Sequence, residues 1–158
     1  MGYKVIADTR EQNGWTFPQY QDCEGSYVGT LKTGDYSIEG LENFVCIERK
    51  ASVEEISINI GSDKKRFYKE LERMKDFKHK YIVCEFSIDD VLQFPNNSRI
   101  PKERIKDIKI SGKYILKTML EIEMEYGIHV MYCGTKNNAF ITAASILKRI
   151  WEKYGRLK

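Results

Sequence analysis

The sequence predicts an α/β fold with a mixed central β-sheet and helices on both faces. Three observations lead there. Strand-like apolar runs come first, helical and strand-like segments then alternate, and 158 residues are enough to bury one substantial core. Apolar residues make up 42% of the chain and charged residues 31%, an ordinary globular balance slightly rich in charge. No internal repeat, low-complexity tract or linker divides it, so residues 1–158 read as a single domain.

The elements follow in order. Tyr3 to Asp8 (YKVIAD) is a short strand with a charge at its C-terminal end. Residues 9–25 carry Gly, Pro and polar residues and read as a loop with room for a short helix. Ser26 to Lys32 is a strand candidate ended by Gly34, Tyr36 to Ile38 starts another, and Phe44 to Ile47 (FVCI) is a buried central strand. Ser52 then opens a helix as its cap, with Val53, Ile56 and Ile60 at helical spacing. Asp63 caps a longer helix to about Phe77, with Phe67, Leu71 and Met74 inward. Residues 81–86 (YIVCEF) are a second buried strand, and Asp89 to Phe94 a helical turn. Residues 95–112 form an irregular basic excursion with a helix around Lys102 to Ile108. Lys113 to Tyr126 is a helix stopped by Gly127, Ile128 to Tyr132 a last strand, and Asn138 to Tyr154 a closing helix with a broad apolar stripe.

Composition removes several classes. The cysteines Cys23, Cys46, Cys84 and Cys133 form no C-x-x-C pair, and only His79 and His129 accompany them, so the pattern offers neither a zinc site nor a disulfide framework. They read as buried free thiols of a reducing compartment. The start lacks a secretory signal, and no segment approaches the ~20 apolar residues of a membrane span. The expectation is a soluble intracellular chain, cytoplasmic or nucleoid-associated, nuclear in a eukaryote. Its net charge of +3 says less than where the cations lie.

The informative chemistry sits where apolar runs end. Side chains alternate across a strand, so Glu48 and Lys50 share one face and Arg49 takes the other. If Asp35 begins the neighbouring strand, its carboxylate meets that of Glu48, and the pair repels unless a cation lies between. Mg²⁺ or Mn²⁺ suits such oxygen donors. With Lys50 beside them to orient water or offset developing charge, this is the minimal kit for metal-assisted phosphodiester hydrolysis. An isolated E-x-K is usually a solvated strand end of little energetic worth. Here it has company: Asp8, Arg10 and Glu11 cluster at the end of the first strand.

The stretches ADTRE, GDY and ERK occur in that order, and together they resemble the XPF-type structure-specific endonucleases, a branch of the PD-(D/E)xK nuclease superfamily. The likeness covers a motif core of about residues 3–86, where RFYKEL and KYIVCEF also match, and is looser through the closing strand and helix at about 128–154. It implies a restriction-endonuclease-like fold and a metal-dependent DNA endonuclease acting on branched, flap or junction structures. By position it implies Asp35 and Glu48 as metal ligands with Asp8 assisting, and Lys50 as catalytic lysine. Arg10 and Arg49 would contact phosphates, Glu11 would bond to one of these cations, and Arg66 would lie near the DNA path.

The chain departs from the family at Ala7, where Val is usual, and at Glu54, which stands for an Asp after E-R-K. The 158 residues would not hold the tandem helix-hairpin-helix or helicase domains that often accompany this nuclease, so the expectation is a stripped-down member or an excised domain. Further DNA contacts fall to Lys64, Lys65, Arg66, Lys69 and Arg73 on the long helix, to Lys102, Arg104 and their neighbours in the excursion, and to Lys148, Arg149, Lys153, Arg156 and Lys158 at the end. Trp15, Phe17 and Tyr20 read as packing residues ahead of base-stacking ones. The family also implies a homodimer through the nuclease domain. The rival reading is a catalytically silent nuclease-fold module that binds DNA or a partner protein. A metabolite acid/base enzyme would want a glycine-rich cofactor loop, and the sequence has none.

Overall fold

The computed structural model describes residues 1–155. Its strands are β1 (Tyr3–Asp8), β2 (Cys23–Gly29), β3 (Tyr36–Ile38), β4 (Val45–Lys50), β5 (His79–Cys84) and β6 (His129–Tyr132). Its helices are α1 (Val53–Ile60), α2 (Lys64–Met74), α3 (Ile88–Gln93), α4 (Lys102–Ile105), α5 (Gly112–Tyr126) and α6 (Lys136–Tyr154). The strands form one six-stranded mixed sheet in the order β2-β1-β3-β4-β5-β6. Only the β1–β3 and β3–β4 pairs are antiparallel.

Strand alternation divides the core in two. Cys46, Ile82 and Cys84 face one side, where α1, α2, α3 and α5 deliver Ile56, Phe67, Leu71, Val91, Ile115 and Met119. Val45, Ile47 and Val83 face the other, packed on Ala143, Leu147 and Trp151 of α6 and on Trp15 and Phe17 of the first loop. Helices thus cover both faces, as the sequence pattern implies. The loop aromatics are core: Trp15 stacks on Tyr36 with ring centres 4.8 Å apart, and Phe17 meets the same ring edge-on at 5.7 Å. Tyr20 stays exposed.

Several boundaries differ from expectation, each for a local reason. The second strand begins at Cys23 and ends at Gly29, because the Leu31 N–H turns away to bond the Asp8 carboxylate at 2.9 Å. No helix forms between β1 and β2. Asp63 makes no side-chain cap on α2; its carboxylate pairs with Arg66 at 3.3 Å. That helix ends at Met74, and the helix in the excursion is only Lys102–Ile105. Gly127 does stop α5, in the left-handed conformation (φ 66) with its N–H returned to the Glu123 carbonyl. His79 sits half-buried with Phe44 and Tyr154. All four cysteines are free as expected, but only Cys46 and Cys84 are buried; Cys23 and Cys133 lie nearer the surface, half-buried. Among the described residues no helix is long and apolar enough to cross a membrane. Arg156 and Lys158 of the expected C-terminal cluster lie outside the described residues.

Candidate active site

The C-terminal ends of β1, β4 and β5 and the start of β3 meet at one edge of the sheet. The antiparallel register Tyr36↔Ile47 sets Asp35 opposite Glu48, and Ala7↔Tyr36 sets Asp8 on the other side of Asp35. Gly34 makes this approach possible. Its φ is +83, and a Cβ there would fall 2.4 Å from Cys46 Sγ, so any side chain would push Asp35 off β4.

The result is a polar cleft of about 400 Å³ lined by Asp35, Glu48 and Lys50, with Asp8, Arg10, Glu55, Asn59, Glu70 and Arg73 around them. Lys50 is buried, its ammonium 3.4 Å from Glu48 Oε2 and 5.1 Å from the centre of the Phe67 ring. Burial pulls the Lys50 pKa down, but the carboxylates of Glu48, Glu55, Asp35 and Glu70 outweigh it and hold the amine above its ordinary value. In the metal-free protein Lys50 is therefore a cation and hydrogen-bond donor.

Asp35 is the site's unbalanced group. Burial, and then the charge of Glu48, push its pKa up to about 10, against the pull of the Arg49 backbone N–H, which donates to Asp35 Oδ2 at 2.7 Å. Two such carboxylates keep a proton between them unless a cation takes its place. Asn59 adds a further oxygen: its Oδ1 is buried and without a partner although the residue lines the cleft. An all-oxygen donor set of this kind fits Mg²⁺ or Mn²⁺. Among the described residues no three His, Cys, Asp or Glu side chains converge to cage an ion alone. An ion here would complete its shell with solvent or phosphate oxygens, which is the habit of Mg²⁺.

The other residues singled out in the sequence divide clearly. Asp8, expected to assist as a ligand, has both oxygens engaged: Oδ1 by the Leu31 N–H and Oδ2 by Arg10 Nε at 2.7 Å and the Arg10 N–H. These bonds outweigh burial and hold its pKa below the ordinary carboxylate value. Asp8 thereby fixes Arg10, whose Nη2 also donates to the Leu31 carbonyl at 3.3 Å and whose side chain remains 69% exposed at the cleft. Arg49, expected on phosphate, is spent internally. Glu11 accepts from its Nε at 2.9 Å and from Nη2, Glu85 accepts from Nη1 at 3.1 Å, and the Gln12 carbonyl accepts from Nη2. Both acids are as buried as Arg49 itself, so the fork has little left to offer DNA.

On α2 Arg66, Glu70 and Arg73 turn to the cleft, whereas Lys64, Lys65 and Lys69 lie on the other flank with Tyr68. Lys102 and Arg104 stand exposed on α4, outside the cleft. Glu54 also turns away: its carboxylate accepts the Arg99 N–H at 2.9 Å, and Glu55 lines the cleft instead. Sequence reasoning missed Glu55, Asn59 and Glu70. Asn59 carried a readable signal, a polar residue on the otherwise apolar inner face of α1 beside Ile56 and Ile60.

The ERCC4 domain pattern matches residues 7–146, a span containing every residue of this cleft. The chain belongs to the ERCC4 domain family. The fold of this family member agrees with XPF from Aeropyrum pernix in complex with DNA, at a TM-score of 0.64 and 16% identity over 96% of this chain. XPF from Aeropyrum pernix without DNA gives a TM-score of 0.62 and 16% identity over 91%. At that identity the likeness is one of fold. The chain spans 66% and 64% of the length of those two archaeal chains. No curated protein matches it significantly.

Proposed function

We propose that this ERCC4-family chain is a metal-dependent endonuclease that hydrolyses DNA phosphodiesters at branched, flap or junction structures. One observation carries the reading: Asp35 and Glu48 are pressed together at the sheet edge with the Lys50 ammonium in the same cleft. Asp35 and Glu48 would hold the ion, and the Asn59 carbonyl oxygen stands ready to accept from its hydration. When bound, a divalent ion supplies Lewis-acid polarisation of the scissile phosphate and eases deprotonation of water. Lys50 donates to a phosphate oxygen and offsets negative charge that grows in the transition state. Arg10, Arg66 and Arg73 grip neighbouring phosphates from the cleft rim.

The archaeal relative's complex with DNA makes a nucleic-acid substrate the natural one to try. Labelled duplex, flap and four-way DNA, each with Mg²⁺, Mn²⁺ or chelator, should be nicked only when metal is present, and branched forms best. Tight binding that is indifferent to chelator, with no cleavage, would replace this reading by that of a silent DNA-binding module. Arg66→Ala and Arg73→Ala should each weaken DNA binding regardless of sequence and lower the slope of log affinity against log salt by about one. An unchanged slope would remove them from the DNA path.

Pairing of two chains would use the sheet edge formed by β6. Met131 there, Leu120 and Met124 on α5 and Ile141 on α6 leave large apolar side chains exposed on adjoining elements. Sedimentation should give a dimer at micromolar concentration, and a monomer would remove the proposal.

A further inference from the structure

We propose that Glu85 is a positioning residue of this cleft: acting through Arg49, it holds the Asp35 carboxylate in place and so strengthens the grip on a divalent cation. The inference rests on the reading that the cleft binds such a cation. Glu85 follows the last residue of β5 and belongs to none of the three sequence motifs.

The contacts close a ring. Asp35 Oδ2 accepts the Arg49 backbone N–H at 2.7 Å. The guanidinium of Arg49 donates to Glu85 Oε1 at 3.1 Å, and Glu85 Oε2 accepts the Trp15 indole N–H at 2.9 Å. The Trp15 backbone N–H donates to the Tyr36 hydroxyl at 2.7 Å, and Tyr36 is the next residue after Asp35. Each link is short, and the side chains of Arg49 and Glu85 are only 9% and 7% exposed. The ring lies on the side of β4 away from Lys50, because Arg49 alternates with it.

Two features point past a merely structural tie. A buried ion cluster is weak evidence for stability, since apolar packing often serves as well. This one is also unbalanced. Glu11 and Glu85 set two carboxylates on one guanidinium, so formal negative charge is in excess around Arg49, the neighbour of Glu48 in β4. That excess costs the empty fold and favours a cation in the cleft. Partners that orient a ligand from behind typically change metal affinity about 10- to 100-fold when removed.

The test is calorimetric titration of the whole chain with Mn²⁺, wild type against Glu85→Gln and Trp15→Phe. A glutamine has one acceptor where Glu85 uses two, so either the Arg49 or the indole bond is lost. Glu85→Gln should bind Mn²⁺ about 10- to 100-fold more weakly, and its cleavage defect should vanish at saturating metal. Trp15→Phe, which leaves the Glu85 carboxylate in place and removes the indole donor together with part of a core ring, should show a smaller loss in the same direction. The indole N–H resonance of Trp15 should shift as Mg²⁺ is added to the wild type. Wild-type binding with unchanged affinity in both variants and a stationary indole signal would overturn the role of Glu85 and leave the nuclease reading intact. If Glu85→Gln does not fold, the Trp15→Phe titration decides alone. A wild type that binds no metal would fail the cation reading first, and Glu85's role with it.

Discussion

Asp35→Asn is expected to abolish cleavage while raising the melting temperature of the metal-free protein. The two effects share one cause. Asp35 loses its charge with difficulty in water but must do so here, because burial and Glu48 raise its pKa from the ordinary 3.8 to about 10. Between those values the folded chain holds a proton that the unfolded chain has released. The stability this group contributes is complete below about pH 4 and drains as pH rises towards about 10, by at most about 1.4 kcal/mol per pH unit. Wild type in chelator should therefore lose stability from acid to alkaline pH, and the asparagine variant should lose less. Asparagine keeps an oxygen for the Arg49 N–H, so the ring behind it survives. In a chain of this size each kcal/mol moves the melting temperature by about 2–4 °C. Adding Mg²⁺ should reverse the order, since a ligand at 100 times its Kd stabilises wild type by about 2.7 kcal/mol and the variant hardly at all. Differential scanning calorimetry at several pH values, with and without metal, reads all of this. A variant less stable than wild type in chelator at pH 8 would contradict the carboxylate-pair account.

Lys50→Met should lower kcat by about 10²–10³-fold or more while DNA affinity stays nearly unchanged. Methionine keeps an unbranched stem in this buried position and removes the ammonium that stands over the Phe67 ring. The loss leaves Glu48 without the ammonium 3.4 Å from its Oε2, and takes from the cleft the cation that Glu48, Glu55, Asp35 and Glu70 all stabilise. Breaking a buried ion pair in this way costs about 3 kcal/mol or more in chelator, and Mg²⁺ should restore part of it. Lys50→Arg should not rescue turnover, because the planar fork needs more room than the buried ammonium and aims its donors differently. Cleavage within threefold of wild type by Lys50→Met would place the electrostatic work elsewhere.

The central part of this site was readable because it depends on short-range rules. Alternation along Glu48-Arg49-Lys50 separates the two faces, and a glycine before Asp35 allows the next strand to begin close by. The buried apolar runs were readable for the same reason, as were the helix from Ser52 and its end at Gly127. What escaped depends on how distant segments meet. Glu85 faces Arg49 only because β5 lies parallel to β4 in the register Arg49↔Val83. Glu70 reaches the cleft only because of the rotation of α2, which also sends Lys64 and Lys65 to its other flank. The choice between Glu54 and Glu55 turns on one step of helical phase at the start of α1: the Glu55 carboxylate accepts the Ala51 N–H at 2.9 Å and stays at the cleft, while Glu54 points to Arg99. Spacing places Arg10 and Arg49 alike next to apolar runs, and only the packed acids Glu11 and Glu85 distinguish the exposed guanidinium from the spent one.

The most direct test is a crystal grown or soaked with Mn²⁺ and measured for anomalous scattering. The account predicts one strong peak between the Asp35 and Glu48 carboxylates, within reach of Asn59 Oδ1 and lost in Asp35→Asn. A peak bound elsewhere on the chain, or a cleft that stays empty of manganese at saturating concentration, would contradict it.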